Sequence, residues 1–511
     1  MGRRIRWLGV VMLLCFALVI IQLVNIQFGR AKTLADSPYN PRVSVKRFDN
    51  NRGTIYASNG VVLAKSVKVN SSSNTYNYER QYPEGPLYAG ITGYDSIFYG
   101  AATGIEYQYN QYLIPHEQPP QNFSQLLFNK PPSETDNVTL TVDPTVQQAA
   151  MTALQDVPSV NKAGAVVVLN PTTGAVLALA SNPTYDPNQM SQPNVAAEEA
   201  YGNSDPGKVV EGLTTFSGLD PVATQVSFFP GSTFKVVTTA AVYNLKPSLI
   251  NYSFTPAVSI KFDDSPLVLS NDGLTKCGGT MAVMLPQSCD PGYGELGIKL
   301  GAADLTQEAK DFGYSVYRSG PQTVPGLDIP NVEVSTVTNI LPTAQAYLAY
   351  AAIGQKNDQA TPLQNALVAA GIANNGVIMT PHLMQSITDS QGNTVKTYQP
   401  TPESTVTTAS EAQAITKLMQ GVAIDGTAAG VFPASWHMAV KTGTAQVQAL
   451  TGPEQTDDWM IGFRPASPGV PEVAIAAVVP YQSYSVTGAL IAGPILEKVI
   501  AAYVAQQSGQ S

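Results

Sequence analysis

The run of apolar positions at the start of the chain sets the first boundary. From Trp7 to Ile21 the only side chain with polar character is Cys15, and apolar residues continue to Phe28, interrupted by Gln22, Asn25 and Gln27. As a helix, residues 7–28 would be about 33 Å long at about 1.5 Å per residue, enough to cross a hydrocarbon core of about 30 Å. Arg3, Arg4 and Arg6 precede this run. The pattern predicts a cytoplasmic tail over 1–6, a single-pass anchor over 7–28 and the rest of the chain outside, although Arg30 and Lys32 reduce the charge asymmetry. A cleaved signal peptide is the alternative, but no good Ala-x-Ala site follows Phe28. Chemistry done outside has no ATP to draw on, so its free energy must come from the substrate.

Beyond the anchor the patterning changes twice. In residues 29–136 helical periodicity is weak; short apolar runs flank Ser58-Asn59-Gly60, the composition of a tight hairpin. A second patch, Gly100 to Glu106, lies within a tyrosine-rich stretch, and Pro115, Pro119, Pro120, Pro131 and Pro132 read as a connector. From 137 to 511 the pattern is that of one catalytic-sized domain. Val138–Val142 alternates like a strand, Asp143-Pro144 signals a helix start, and Thr145–Leu154 has helical spacing. Gly164–Leu169 and Ala175–Ala180 flank an Asn-Pro-Thr-Thr-Gly turn as a buried hairpin. A helix-rich middle follows, then three strands around Trp436–Thr444, Trp459–Phe463 and Glu472–Val479, and a closing helix from Gly488 to Gln506. Strands at both ends with helices between predict an α+β fold, with one sheet built from both ends of the domain.

Composition excludes several classes. Over 511 residues, 44% hydrophobic content permits a large core, while charged residues are only 13%, about half the usual quarter. With 28 basic against 37 acidic residues the net charge is −9, which opposes binding to nucleic acid by phosphate neutralisation. Nor is there an aromatic-plus-basic pattern for single strands. Three histidines, three cysteines and no Cys-x-x-Cys, His-Glu-x-x-His or Gly-x-x-x-x-Gly-Lys-Ser/Thr predict no metal and no cofactor. Cys15 lies in the anchor, leaving Cys277 and Cys289 outside. An oxidising exterior favours a disulfide between them, closing a loop of about a dozen residues and contributing about 3 kcal/mol; two free thiols are the alternative.

Three polar elements offer chemistry. Ser232 and Lys235, in Pro-Gly-Ser-Thr-Phe-Lys at the opening of a helix, stand three residues apart and share one face of its first turn. A lysine accepts the proton of a serine only when neutral, which requires burial or a second cation. Ser159 and Lys162 repeat the spacing but run into a strand, and read as structural. Ser288-Cys289-Asp290, followed by Pro291, otherwise passes for a helix cap. Lys441-Thr442-Gly443-Thr444 lies on a strand; Thr442 and Thr444 alternate onto one face, and Gly443 would clear room for a substrate backbone at the strand edge. His116, His382 and His437 are scattered and read as structural, and Asp457 and Asp458 read as a solvated turn.

In this order the three elements resemble the active-site set of the penicillin-recognising serine acyltransferases. The segments Arg52–Ala64, Gly104–Glu106, Asn170–Ala178, Thr361–Gln364, Ala373–Gly376 and Trp459–Phe463 look like successive signatures of class B penicillin-binding proteins, nearest the actinobacterial penicillin-binding protein A type. The resemblance implies a β-rich pedestal over 29–136 and a transpeptidase domain over 137–511 whose antiparallel sheet is sandwiched by helices. It implies peptidoglycan D,D-transpeptidation: Ser232 as nucleophile, Lys235 as base, Ser288 as proton relay, and Lys441 as the positive charge that keeps Lys235 neutral. Thr442 and Thr444 would bind the substrate carboxylate, and the N–H groups of Ser232 and Thr444 would hold the oxyanion. Stem peptides, β-lactam antibiotics, a membrane glycosyltransferase and wall-assembly proteins are the implied partners. Asp290 stands where the family pattern has Asn, and a carboxylate there would pair with a lysine and raise its pKa. A β-lactamase or penicillin sensor is the first rival reading, opposed by the module ahead of the catalytic domain and by the lack of a Glu-x-x-Leu-Asn motif. A silent scaffold with a decayed site is the second.

Overall fold

The computed structural model describes residues 2–25, 48–69, 76–117, 133–157, 163–192, 194–211, 214–317, 326–339, 341, 343–356, 358–447, 455–466 and 472–509. The end of the expected anchor (26–28), Arg30, Lys32, Pro119, Pro120, Pro131, Pro132, Ser159 and Lys162 lie outside the described residues. Helix α1 runs from Gly2 to Val24, and along it Leu13, Phe16 and Ile21 are exposed apolar side chains.

The following module opens with strands β1 (Ile55–Tyr56), β2 (Val62–Lys68) and β3 (Tyr78–Gln81), the first two joined by the hairpin at Ser58-Asn59-Gly60. Strand β4 (Asn137–Leu140) pairs in parallel with β1. Asp143 Oδ1 then accepts the Thr145 and Val146 N–H groups, with Pro144 in the first helical turn, and starts helix α2 (Pro144–Gln155). Strands β5 (Gly164–Leu169) and β6 (Val176–Asn182) form the expected hairpin. Helices α3 (Lys235–Leu245), α4 (Asp290–Leu300) and α5 (Pro362–Ala373) follow, then strands β7 (Met384–Thr388) and β8 (Thr394–Thr397). The chain closes with β9 (Ala439–Val447), β10 (Gln455–Arg464), β11 (Val473–Ser483) and helix α6 (Gly488–Gly509).

The five-stranded sheet has order β6-β5-β11-β10-β9, antiparallel throughout, so strands from both ends of the domain meet at its centre. All six residues of β5 are buried, as expected for a strand covered on both faces. Along β10, a Cβ added at Gly493 of α6 would meet Met460, whereas Trp459 lies beneath the turn ahead of α3, to which its Nε1–H donates at Phe229 O, 2.9 Å. Alternation therefore turns one face of the sheet to α6 and the other to the turn before α3. Helix α6 is long and apolar enough to cross a membrane, with mean hydropathy 1.5. Its Ala492, Ile495, Leu496, Val499 and Ile500 are instead buried against the domain.

The second sheet, β8-β7-β4-β1-β2-β3, joins segments from both sides of residue 137. Beside it, Glu106 receives Arg52 Nε at 2.6 Å on one oxygen and Arg80 Nε at 2.6 Å on the other. Arg52 also donates to Asn110 Oδ1, and Arg80 to Gly53 O. Gly53 is obligatory here, because a Cβ would lie 1.8 Å from the Asp136 carbonyl oxygen.

The middle of the domain is helix-rich as expected, with short strand pairs added to it. Ser259–Phe262 pairs with Ser265–Ser270, and Phe254–Ala257 with Cys277–Gly279; runs of three to six residues are too short for their periodicity to distinguish strand from helix. Asp457 and Asp458 are a correction: they lie inside β10 and are buried, since the strand extends further toward its start than its apolar residues indicate.

Because Glu106 pairs with two buried guanidinium groups, with Asp95 as the second acid 3.6 Å from Arg52, Glu106→Gln should destabilise the chain by about 3 to 5 kcal/mol. Urea unfolding followed by tyrosine fluorescence would measure the loss.

Candidate active site

A single turn of 3-10 helix, Gly231–Phe234, leads straight into α3 and carries Ser232. Its path depends on Gly231, at φ +53°, where a Cβ would fall 2.8 Å from that of Ala445 on β9. The Gly231 N–H donates to Gly354 O at 2.9 Å, and Asn365 of α5 donates to Thr233 Oγ1 at 3.2 Å. The serine is thus pinned between the edge strand and the central helix.

One turn on, Lys235 Nζ lies 3.0 Å from Ser232 Oγ, 2.6 Å from Asp290 Oδ1, 2.6 Å from Ser288 O and 3.2 Å from Ser288 Oγ. Lys441 Nζ approaches the same Ser288 Oγ at 2.9 Å and also donates to Thr442 O at 2.8 Å. Neither lysine exposes any surface. Burial lowers the Lys235 amine, and Asp290 works against that by favouring its charge. Lys441 is driven well below the usual lysine range, by burial first and then by the charge of Lys235. Two ammonium groups meeting at one buried hydroxyl disfavour each other's charge, and Asp290, in contact with Lys235, favours the charged form there.

Ser288 reaches this position in a left-handed conformation, φ +54°, which costs a non-glycine residue about 1 to 3 kcal/mol. The next residue, Cys289, is the N-cap of α4 without capping through its side chain, and Pro291 lies in the first turn. Cys289 is disulfide-bonded to Cys277, with Cα atoms 5.6 Å apart. The Asp290 N–H is held by Asn271 Oδ1 at 3.0 Å. Covalent and polar restraints thus bracket the strained serine.

On β9, Thr442 Oγ1 shares a hydrogen bond with Thr427 Oγ1 at 2.6 Å, and Thr444 Oγ1 accepts the Gly488 N–H at the start of α6, 3.2 Å away. Gly443 departs from expectation. A Cβ there would point inward, 3.0 Å from both Thr233 Cγ2 and Trp459 Cβ, so the glycine permits the nucleophile turn to approach the strand instead of clearing a substrate path. His116 sits 3.3 Å from Asp136, and His382 stacks on Tyr398 with centroids 3.5 Å apart. His437 ends a short turn.

Ser232 and Thr444 border two adjoining cavities of about 580 and 250 Å³. The larger is roofed by Val268, Leu269 and Leu274 with Tyr350 and Ile353; the smaller holds Ser288, Thr427, Thr442 and Thr487. Asn271, Asp272, Thr427 and Thr487 carry no motif signal, because hairpin and loop geometry alone brings them here. A serine beside one buried amine, with a second linked through Ser288, at the junction of two cavities and near an edge strand rich in donors, is equipped for acyl transfer.

Comparison with known proteins identifies the lineage. Residues 164–501 match the family model of the penicillin-binding protein transpeptidase domain, and residues 52–133 that of the penicillin-binding protein A dimerisation domain. The chain is 33% identical to the peptidoglycan D,D-transpeptidase PbpA of Mycolicibacterium smegmatis, over 99% of this chain and 100% of that one. To the PbpA of Mycobacterium tuberculosis it is 32% identical, over 98% and 99%. The solved penicillin G acyl-enzyme complex of penicillin-binding protein A from M. tuberculosis superposes with a TM-score of 0.75 at 31% identity, covering 89% of this chain and 100% of that one. The chain belongs to the penicillin-binding protein transpeptidase family.

The disulfide tethers the strained serine motif, so Cys277→Ser should lower stability by about 3 kcal/mol and slow penicillin acylation, read by urea unfolding and by stopped-flow with a fluorescent penicillin. Asp290→Asn removes the charge that holds the proton on Lys235. The amine then becomes neutral at lower pH, and the acid limb of the acylation profile should move down, raising the rate near pH 6 by roughly threefold or more.

Proposed function

We propose that this chain is a peptidoglycan D,D-transpeptidase that works through a serine acyl-enzyme and is acylated by β-lactams at the same serine. The contact that carries the reading is Lys235 Nζ at 3.0 Å from Ser232 Oγ, inside a site where both lysines are fully buried. A neutral lysine has two N–H groups and one lone pair. With the two N–H groups donated to Ser288 O and Asp290 Oδ1, the lone pair is left for the Ser232 proton.

The donor peptide's terminal carboxylate binds at Thr442 and Thr444 and draws positive charge onto Lys441. A proton passes from Lys235 to Lys441 through Ser288 Oγ, which both amines reach. Ser232 Oγ then attacks the carbonyl of the penultimate D-alanine as Lys235 takes its proton. The N–H groups of Ser232 and Thr444 hold the oxyanion, each typically contributing about 3 to 4 kcal/mol. Collapse breaks the peptide bond; Ser288 delivers a proton to the departing D-alanine amine and regains one from Lys235, leaving an ester on Ser232 and Lys235 neutral. An acceptor amine from a second stem peptide attacks that ester, losing a proton to Lys235, which returns it to Ser232 Oγ as the ester bond breaks. One peptide bond replaces another, so no nucleotide is consumed.

Helix α1, with its exposed apolar side chains, is the single-pass anchor, with its N-terminus cytoplasmic and the catalytic domain outside. Residues 29–136 form the pedestal and 137–511 the catalytic domain. The glycan strands come from a separate membrane glycosyltransferase working with wall-assembly proteins.

Intact-mass measurement after incubation with benzylpenicillin should show a stable adduct of one penicillin on the native chain and none on Ser232→Ala. Rapid regeneration of free enzyme would favour a β-lactamase, and absence of any adduct would favour a silent scaffold.

A further inference from the structure

Thr444 and Asp458 face each other across β9 and β10, a register that places both side chains on one face of the sheet. Asp458 has no exposed surface, and neither of its carboxyl oxygens has a partner in hydrogen-bonding geometry. An unpaired carboxylate in such a place is costly. Thr444, by contrast, borders both cavities beside Ser232. Its oxygen already accepts the Gly488 N–H, so its single proton has one outlet: toward the cavity or back toward Asp458.

We propose that Asp458 is a positioning residue for donor recognition: as a neutral acid it leaves the Thr444 hydroxyl free to donate to the substrate's carboxylate, and as a carboxylate it takes that proton for itself. This rests on the reading of Thr442 and Thr444 as the carboxylate site. The surroundings favour the neutral form. The charged groups acting on Asp458 are Asp457 on its own strand and Asp272 from the cavity rim, both acidic; its other neighbours are the Thr456 and Thr444 hydroxyls and Val479 across β11. Burial pushes its carboxyl up to about 8, with the two threonine hydroxyls opposing the shift. Ionisation above that pH removes the hydroxyl donor and places a second negative charge behind the one to be bound.

The test compares benzylpenicillin with its methyl ester, which lacks the carboxylate, as acylating agents of the full-length chain at about pH 6 and about pH 9.5. Taking the ratio of the two cancels titration of Lys235, which affects both agents. The native chain should prefer the free acid at pH 6 and lose that preference by about tenfold at pH 9.5, the change falling on the half-saturating concentration and not on the limiting rate. Asp458→Asn should keep the pH 6 preference at both pH values; Thr444→Val should show the low preference at both. Equal acylation by acid and ester at pH 6 would overturn the carboxylate reading and the proposal with it. A preference that is present but independent of pH, or that falls in Asp458→Asn as in the native chain, would overturn the proposal alone. If Asp458→Asn does not fold, the native chain and Thr444→Val still decide.

Discussion

Two lysine amines without exposed surface meet at one serine hydroxyl, and most of the site is arranged around that unfavourable encounter. Burying a charge costs several kcal/mol unless it is paired and hydrogen-bonded. Lys235 is partnered by Asp290 and by the Ser288 carbonyl, while burial and the charge of Lys235 push Lys441 well below the usual lysine range. An asparagine in place of Asp290 would remove the charge that favours a protonated Lys235, so the departure from the family pattern alters the charge balance without removing any part of the machinery.

The architecture holds the amines together against their repulsion. Lys235 is carried by α3, Ser288 by the strained turn before α4, and Lys441 by the edge strand β9, three elements distant in sequence. The nucleophile turn approaches β9 closely enough that Gly231 and Gly443 have no room for a side chain. The disulfide and the Asn271 contact hold the middle element from the other side. A low-dielectric site formed in this way strengthens each electrostatic contact within it.

The module ahead of the catalytic domain is built on the same physics without chemistry. Arg52 and Arg80 are brought together with Glu106 and Asp95 from separate segments, and the two acids offset the two guanidinium charges in a buried cluster beside the six-stranded sheet. Because β7 and β8 of the catalytic domain extend that sheet through β4, the module and the domain share backbone hydrogen bonds.

The local patterns of the sequence determined much of this protein. Alternation and turn residues located the β5–β6 hairpin and the three closing strands, Asp143-Pro144 marked the start of α2, and the spacing of Ser232 to Lys235 placed both side chains on one helical face. Those features follow from residues within a few positions of one another, where side-chain period and backbone preference act directly. Other features depended on the tertiary structure. The inward role of Gly443 and the burial of Asp458 follow from packing across strands, and the short hairpins that roof the larger cavity are too brief to have a period. The lowering of both lysines was undecidable from sequence, because a pKa depends on distance and burial: only the fold sets Asp290 at 2.6 Å from Lys235 and closes water out around both amines.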